Sequence, residues 1–330
     1  MSLYDVAIIG GGLSGQLAAF LLSKEKYSIL LCEADPKLGG KSRLDYGFNL
    51  LTPELSKTLS LDLSYIEIFN QEPLALRKMN WVSVSPEEIS PEQKYFFFKD
   101  FIFPRGGIEK VFTSLNAGFS SVEIKLSTPI LECAIQDHTI QKIISGKEGW
   151  QAKAVVAAIP FTGLTHMLGT DYFHPRFLKK IRKQKMVSAV KLNFILKEKV
   201  CDYQNILFSL DSNGVGFFPS NVDSTLIEGT KQISQWLFFL KEEELVDAEE
   251  VAKKIRAGKR FIQKAWPQFF NQVEWEQIGV IDQLFPLEVT DPQEMEKTTL
   301  KNLFWIGGRF TPSVIEEVKK ITTYISQNHN

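Results

Sequence analysis

With 330 residues, 44% of them apolar and 23% charged, the chain has the composition of a folded globular protein, with room for one large or two moderate domains. A formal net charge of -1 provides no overall basic field for a nucleic-acid partner. Cys32, Cys133 and Cys201 stand too far apart for a metal-ligand spacing or a disulfide framework. The longest apolar runs fall short of the ~18 to 20 residues that span a bilayer. The first strand begins too early for a signal sequence to precede it, so a soluble, cytoplasmic protein is expected.

In chain order, Val6 to Ile9 is a short continuous apolar run, the pattern of a strand buried on both faces. Gly10 to Gly15 interrupt it, Gln16 to Leu22 continue as a helix, and Tyr27 to Glu33 form the next strand. Phe103 to Leu115, "FPRGGIEKVFTSL", lead through a proline and two glycines into an amphipathic helix with Ile108, Val111, Phe112 and Leu115 on one side. Three or four short strands follow, the last a buried one from Ala154 to Ile159.

Beyond Pro160, strands are expected at Val187 to Leu196, Ile206 to Leu210, Val215 to Phe218 and Gln232 to Leu240, with "DSNG" as a hairpin turn. Glu243 to Trp266 reads as one long charged helix, and the "KEEE" run at its start as a solvated helix face. "IGVIDQLFPL" and "LKNLFWIGG" return as strands. Most of the 25 phenylalanines belong to the core, and the remainder would suit a pocket for an apolar or aromatic ligand.

The chemistry-bearing stretch is the first. Gly10, Gly12 and Gly15 fit G-x-G-x-x-G between a strand and a helix. The first glycine serves a tight turn, the second admits a pyrophosphate to the backbone, and the third permits close helix–strand packing. The amides of Leu13 and Ser14 at the helix N-terminus would stabilise phosphate charge. Glu33, followed by Ala34, ends the next strand, where its carboxylate can accept hydrogen bonds from an adenosine ribose and would repel a 2'-phosphate. Gly39 and Gly40, followed by Lys41, Ser42 and Arg43, would bring a second loop onto the same pyrophosphate.

An acid, a short spacer, a glycine pair with a following cation and a later "DYGFNLL" together resemble the signature of the FAD-dependent amine oxidase, protoporphyrinogen oxidase and phytoene desaturase superfamily. The length is similar to its compact, renalase-like bacterial members. "RGGIEKVFTSL", "LSTPILEC", "AKAVVAAIP", "IDQLFPL" and "NLFWIGGRFTPSVIEEVKK" look like the family's later segments. Lys41 stands where the family has Arg, which keeps the charge and loses bidentate phosphate geometry. Gly308 follows Gly307 where the family usually has an acid. The resemblance implies FAD as cofactor, with Phe48, Asn49 and Leu50 along the flavin ring, Ile130 at the adenine, Gly307 and Gly308 in the closing motif, and the amides of Val314 and Ile315 near the reduced ring.

The implied fold is α/β: a Rossmann-type, NAD(P)-binding-like FAD domain of residues 1–70, 101–162 and 280–330, interleaved with a smaller α+β substrate domain of residues 71–100 and 163–279 built on an antiparallel sheet. The implied activity is that of an FAD-dependent, amine oxidase-like oxidoreductase. It would take a hydride equivalent from an amine or another small apolar or aromatic donor at flavin N5, and pass electrons to oxygen or another acceptor. No general base is apparent: His138, His166, His174 and His329 show neither triad nor metal spacing. Lys191, on the strand expected to face the flavin, is the charged side chain that would be nominated. Two other readings of the same fold are a non-catalytic GDI-like binding protein and a flavin mutase without net redox.

Overall fold

The computed structural model describes residues 3–40, 50–51, 65–68, 74–97, 101–287, 298–306 and 311–328. The strand–turn–helix–strand unit at the start is β1 (Leu3–Ile9), α1 (Leu13–Lys24) and β2 (Ile29–Cys32). β3 (Tyr65–Ile68), the hairpin β4 (Leu74–Arg77) and β5 (Asn80–Ser83), α2 (Pro91–Phe97), β6 (Phe101–Pro104) and α3 (Gly107–Ala117) follow. The expected group of short strands is β7 (Val122–Lys125), β8 (Glu132–Gln136), β9 (Thr139–Ser145) and β10 (Glu148–Ala157). Next come α4 (Phe161–Leu168) and α5 (Pro175–Lys183), which the sequence pattern left without an element.

The second half holds β11 (Met186–Leu196), β12 (Leu207–Ser209), β13 (Gly214–Phe217), α6 (Pro219–Val222) and β14 (Gln232–Leu240). It closes with α7 (Glu242–Leu245), α8 (Ala248–Ala265), β15 (Val273–Pro286), β16 (Leu303–Trp305) and α9 (Thr311–Asn328). The single helix expected over 243–266 is therefore two. Asp247 divides them because its carboxylate accepts from the amides of Glu249 and Glu250 and caps a new helix start. The "KEEE" run supplies a second cap, with Glu244 accepting from the Lys241 amide at 2.8 Å.

The first sheet has the order β7-β2-β1-β10-β9-β8, with β16 also pairing β10. β7, β2, β1, β10 and β16 run parallel, which explains the uninterrupted apolar runs of β1 and β2, since both faces are covered. On one face α1, α3 and α9 bury Leu17, Val111, Leu115 and Ile321 against Val6, Ile8 and Leu31; on the other, Leu164 and Phe177 of α4 and α5 meet Ala7, Val155 and Trp305.

The second sheet has the order β15-β11-β14-β13-β12-β4-β5. It is antiparallel except where β4 joins β12 in parallel. The parallel pair arises because β4 and β5 come from a separate excursion of the chain, before β6. β15 continues to Pro286 within this sheet. Alternate residues of β11 serve two cores. Val190, Leu192 and Phe194 pack under α8, whereas Val187 and Ala189 lie with Phe101, Phe103 and Phe239. β6 is the seam between the halves, since Ile102 belongs to the core of the first sheet and its neighbours Phe101 and Phe103 belong to that of the second.

A buried carboxylate fastens this seam. Asp223 accepts from the Gly106 amide at 2.7 Å, from the Thr225 amide at 3.0 Å and from the Thr225 hydroxyl at 2.7 Å. It thereby ties the segment after α6 to the turn between β6 and α3, where Gly106 has a φ of +79°. Burial pushes this carboxyl up, but the Thr225 and Gly106 hydrogen bonds and the charge of Arg105 outweigh it and hold the group below its ordinary value of 3.8. Among the described residues, no helix is long and apolar enough to cross a membrane.

Asp223→Ala is expected to lower stability at pH 7 by about 2–4 kcal/mol, the sum of three hydrogen bonds to a buried carboxylate. Because the folded-state value is depressed, the contribution is complete above pH ~4 and is lost as pH falls through the folded value. Denaturant titrations across pH should show the difference from wild type shrinking in acid.

Candidate functional site

The turn after β1 is built by backbone contact. Gly10 has a φ of +102°, and a Cβ there would lie 2.7 Å from the Ala158 carbonyl oxygen. A Cβ on Gly15 would lie 1.9 Å from the Gly10 carbonyl oxygen, so α1 can approach the strand only because residue 15 has no side chain. Gly12 differs from both, because among the described residues a Cβ there would meet no atom within 4 Å. It caps α1 without a side-chain hydrogen bond, and the first bond of this helix end runs from the Gln16 amide to the Gly12 carbonyl. The amides of Leu13, Ser14 and Gly15 therefore precede the helical ladder and present donors at its positive end.

Glu33 is brought beside this turn. One carboxylate oxygen accepts from the Gly11 amide at 2.6 Å and the other from the Asp35 amide at 2.9 Å. Each oxygen keeps lone-pair capacity for a further donor. Gly39 is paired with Gly12, its amide donating to the Gly11 carbonyl at 2.9 Å, and a Cβ on Gly40 would meet the Gly12 Cα at 3.2 Å. The two glycine segments thus lie against each other, and Ala34 is exposed beside them. Thr128 donates its amide to the Glu33 carbonyl at 2.8 Å, which brings the partly buried Ile130 to the same end of the sheet.

Leu50 packs into the core at the seam, and Leu51 pairs with Ile102. α9 begins at Thr311, so Val314 and Ile315 are its fourth and fifth residues. In helix geometry the Ile315 amide pairs with the Thr311 carbonyl, and the donors free of the ladder belong to the turn before it. Lys41, Ser42, Arg43, Phe48, Asn49, Gly307 and Gly308 lie outside the described residues.

Two residues that motif spacing did not single out belong to the turn. The buried Gly11 supplies the amide bound by Glu33, and a Cβ there would meet the Leu38 side chain at 2.4 Å. Gln16 is fully buried and donates to the Gly11 carbonyl at 2.8 Å, bracing the turn from beneath. The run of three consecutive glycines is the sequence signal for Gly11; a polar residue inside an otherwise apolar helix is the signal for Gln16.

The second sheet turns one face toward the seam. Lys191 lies on it at 5% exposure, in register with Leu237 and Gly279. The aromatic residues of the sheet divide between its faces. Phe239 and Phe285 meet the seam and are covered by α2, with Tyr95 stacked on Phe285 at 4.1 Å between centroids. Trp236 and Phe238 point the other way and fill the core under α8. His138 and His166 are exposed and His174 caps α5, all away from this face; His329 lies outside the described residues. No cluster of His, Cys, Asp or Glu among the described residues could hold a metal ion.

A glycine cradle with open space over Gly12, donors at a helix start and an acid beside them suit the pyrophosphate and ribose of a dinucleotide. Joined to a second domain across an aromatic seam, they define a two-domain dinucleotide-dependent protein. The chain belongs to the flavin containing amine oxidoreductase family, whose model matches residues 48–310, preceded by an NAD(P)-binding Rossmann-like domain at residues 8–54. It is an FAD-dependent oxidoreductase, and its cofactor is FAD.

Among solved structures the chain is similar to an oxidoreductase from Methanosarcina mazei, with a TM-score of 0.74 and 13% identity, covering 96% of this chain and 99% of that one. It is also similar to cyclohexylamine oxidase from Brevibacterium oxydans IH-35A, with a TM-score of 0.66, 13% identity and 100% of both chains covered. A putrescine oxidase bound to putrescine matches with a TM-score of 0.65 and 12% identity, covering 98% of this chain and 99% of that one. At such identities these neighbours share the fold. No curated protein sequence matches the chain.

The two cradle glycines should separate folding from cofactor binding. Gly12→Ala is expected to leave apoprotein stability within about 0.5 kcal/mol of wild type and to weaken FAD binding at least tenfold, because the methyl would occupy the phosphate approach. Gly15→Ala should destabilise the apoprotein itself. Thermal melts paired with FAD titration would check both.

Burial pushes the thiols of Cys32, Cys133 and Cys201 up to about 12. At pH 8 their thiolate fraction is on the order of 10⁻⁴. An aromatic disulfide reagent should show no fast-reacting thiol in the folded protein and three in denaturant.

Proposed function

We propose that the enzyme oxidises an amine, or another small apolar or aromatic donor, by taking a hydride equivalent at flavin N5, with oxygen or another acceptor receiving the electrons. The observation that carries this reading is the sheet face at the seam, where Val187, Ala189, Leu237 and Phe239 make a dry wall into which the buried Lys191 is set. FAD supplies the two-electron acceptor when bound. The protein's own contribution is to hold it, exclude water and orient the donor.

In this reading Gly10, Gly12, Leu13, Ser14 and Gly15 hold the pyrophosphate, with Gly39 and Gly40 carrying a second loop onto it together with Lys41, Ser42 and Arg43. Glu33, beside Ala34, accepts from the ribose hydroxyls. Ile130 adjoins the adenine, Phe48, Asn49 and Leu50 follow the ring, and Gly307, Gly308, Val314 and Ile315 close the site. Lys191 holds or relays a proton at its Nζ beside the reacting donor. Phe239, Phe285 and their partners Tyr95 and Phe96 keep water from this wall.

The partition into an FAD domain of 1–70, 101–162 and 280–330 and a substrate domain of 71–100 and 163–279 is proposed alongside. Membership of the two sheets supports it, apart from the end of β15, which remains in the second sheet, and from α4 and α5, which pack on the first. The matched family favours this oxidoreductase reading over a GDI-like binding protein or a non-redox mutase.

The test is the visible spectrum of the protein loaded with FAD, followed by anaerobic exposure to a panel of primary amines and aromatic donors. Bleaching of the flavin bands by a donor supports the proposal; failure to take up FAD overturns it. Lys191→Met should retain FAD and lower the rate of bleaching by about 10²-fold, the usual contribution of a positioned proton-transfer group. An unchanged rate would remove Lys191 from the mechanism.

A further inference from the structure

The seam-facing wall changes character along β11. Around Val187 and Ala189 it is apolar and densely packed by α2 and β6. Beyond Lys191 the next position on the same face is Asn193, whose register partners are Gln235 on β14 and Gln277 on β15. Three amides therefore form a polar row on one face of a sheet that is otherwise lined with Leu, Val and Phe. Gly279, the β15 partner of Lys191, leaves open space on this face, since a Cβ there would meet no atom of the described residues within 4 Å.

The row is under-satisfied. Asn193 is 4% exposed and its side-chain carbonyl has no hydrogen-bond partner among the described residues, while its amide nitrogen reaches Gln277 only at 3.3 Å. Exchanging the two ends of the carboxamide would merely change which atom is left unpaired. Gln235, at 9% exposure, makes no side-chain hydrogen bond among the described residues. A buried polar group without a partner costs about 1–3 kcal/mol, and it persists where something else supplies the missing bond.

We propose that Asn193 and Gln235 form a subsite that hydrogen-bonds a neutral polar end of the donor, a carboxamide or a hydroxyl, whose oxidisable end lies by Lys191. The amides offer both a donor and an acceptor, which matches a neutral head. An ammonium can only donate and a carboxylate can only accept, so either would leave half of this donor-and-acceptor pair unmet. This rests on the reading of the sheet face as the donor wall, and it adds the class of group recognised.

The experiment uses the FAD-loaded protein and titrates benzamide by calorimetry, with benzoate for comparison, in wild type, Asn193→Leu and Gln235→Leu. Benzamide should bind wild type more tightly than benzoate, and each substitution should weaken benzamide at least tenfold. Asn193→Leu should at the same time hold or raise the melting temperature, since it replaces an unpaired buried carbonyl by an apolar group. A structural Asn193 would show the opposite pair: a lower melting temperature and unchanged benzamide affinity.

That pair of results, or no benzamide binding in wild type, overturns the subsite. If the protein retains FAD and is bleached by donors while benzamide binding ignores both substitutions, only the subsite fails. If FAD is not retained, the oxidoreductase reading fails and the subsite with it.

Discussion

A carbonyl oxygen occupies the space where residue 15 would otherwise carry a side chain, and much of the first domain follows from that contact. With the Gly10 carbonyl against the Gly15 backbone, α1 starts close over β1, its free amides gathered at the end of the sheet. The same geometry sets the Gly11 amide against Glu33 and lets the Gly39–Gly40 segment lie along Gly12. An acid, a helix start and a second glycine loop converge there because the backbone can close where side chains would hold it apart. Among the described residues, a Cβ on Gly12 would meet no atom within 4 Å, in contrast to Gly10, Gly11 and Gly15.

A second constraint is set by β6. A four-residue strand buried at every position can belong to two cores only by sending alternate side chains to opposite sides, and Ile102 does so against Phe101 and Phe103. The halves of the molecule are therefore joined through a shared strand rather than through a linker. Asp223 strengthens the junction by reaching from the second half to the turn that follows β6. A seam of this kind fixes the second sheet against the first through packed side chains and the Asp223 hydrogen bonds.

The aromatic residues show how one residue type is put to two uses. Trp236 and Phe238 complete a core under α8, and they are neighbours in sequence to Leu237 and Phe239, which face the seam. Period-two alternation makes this division unavoidable once β14 has a covered face on each side. Within the seam Tyr95 stacks on Phe285, and Phe96 meets both rings edge-on. They build the wall itself, and open space appears farther along, over Gly279.

The sequence by itself determined the elements whose cause is local. β14 spans Gln232–Leu240 as the pattern reads, α3 buries Ile108, Val111, Phe112 and Leu115, and the glycine spacing identifies the cradle with Glu33 beside it. These follow from side-chain period and from glycine's conformational range, both properties of a few neighbouring residues.

Tertiary structure decided what depends on a distant partner. β4 joins β12, with Leu74 beside Leu207, across a stretch of chain that includes the strands of the first sheet from β7 to β10. Lys191 reads more readily as an outward lysine on an alternating strand, and only the packing of that face in the folded chain buries it. Asp223 and Asn193 carry no local signature, since the significance of a polar side chain lies in which distant backbone or ligand group it meets in the folded chain.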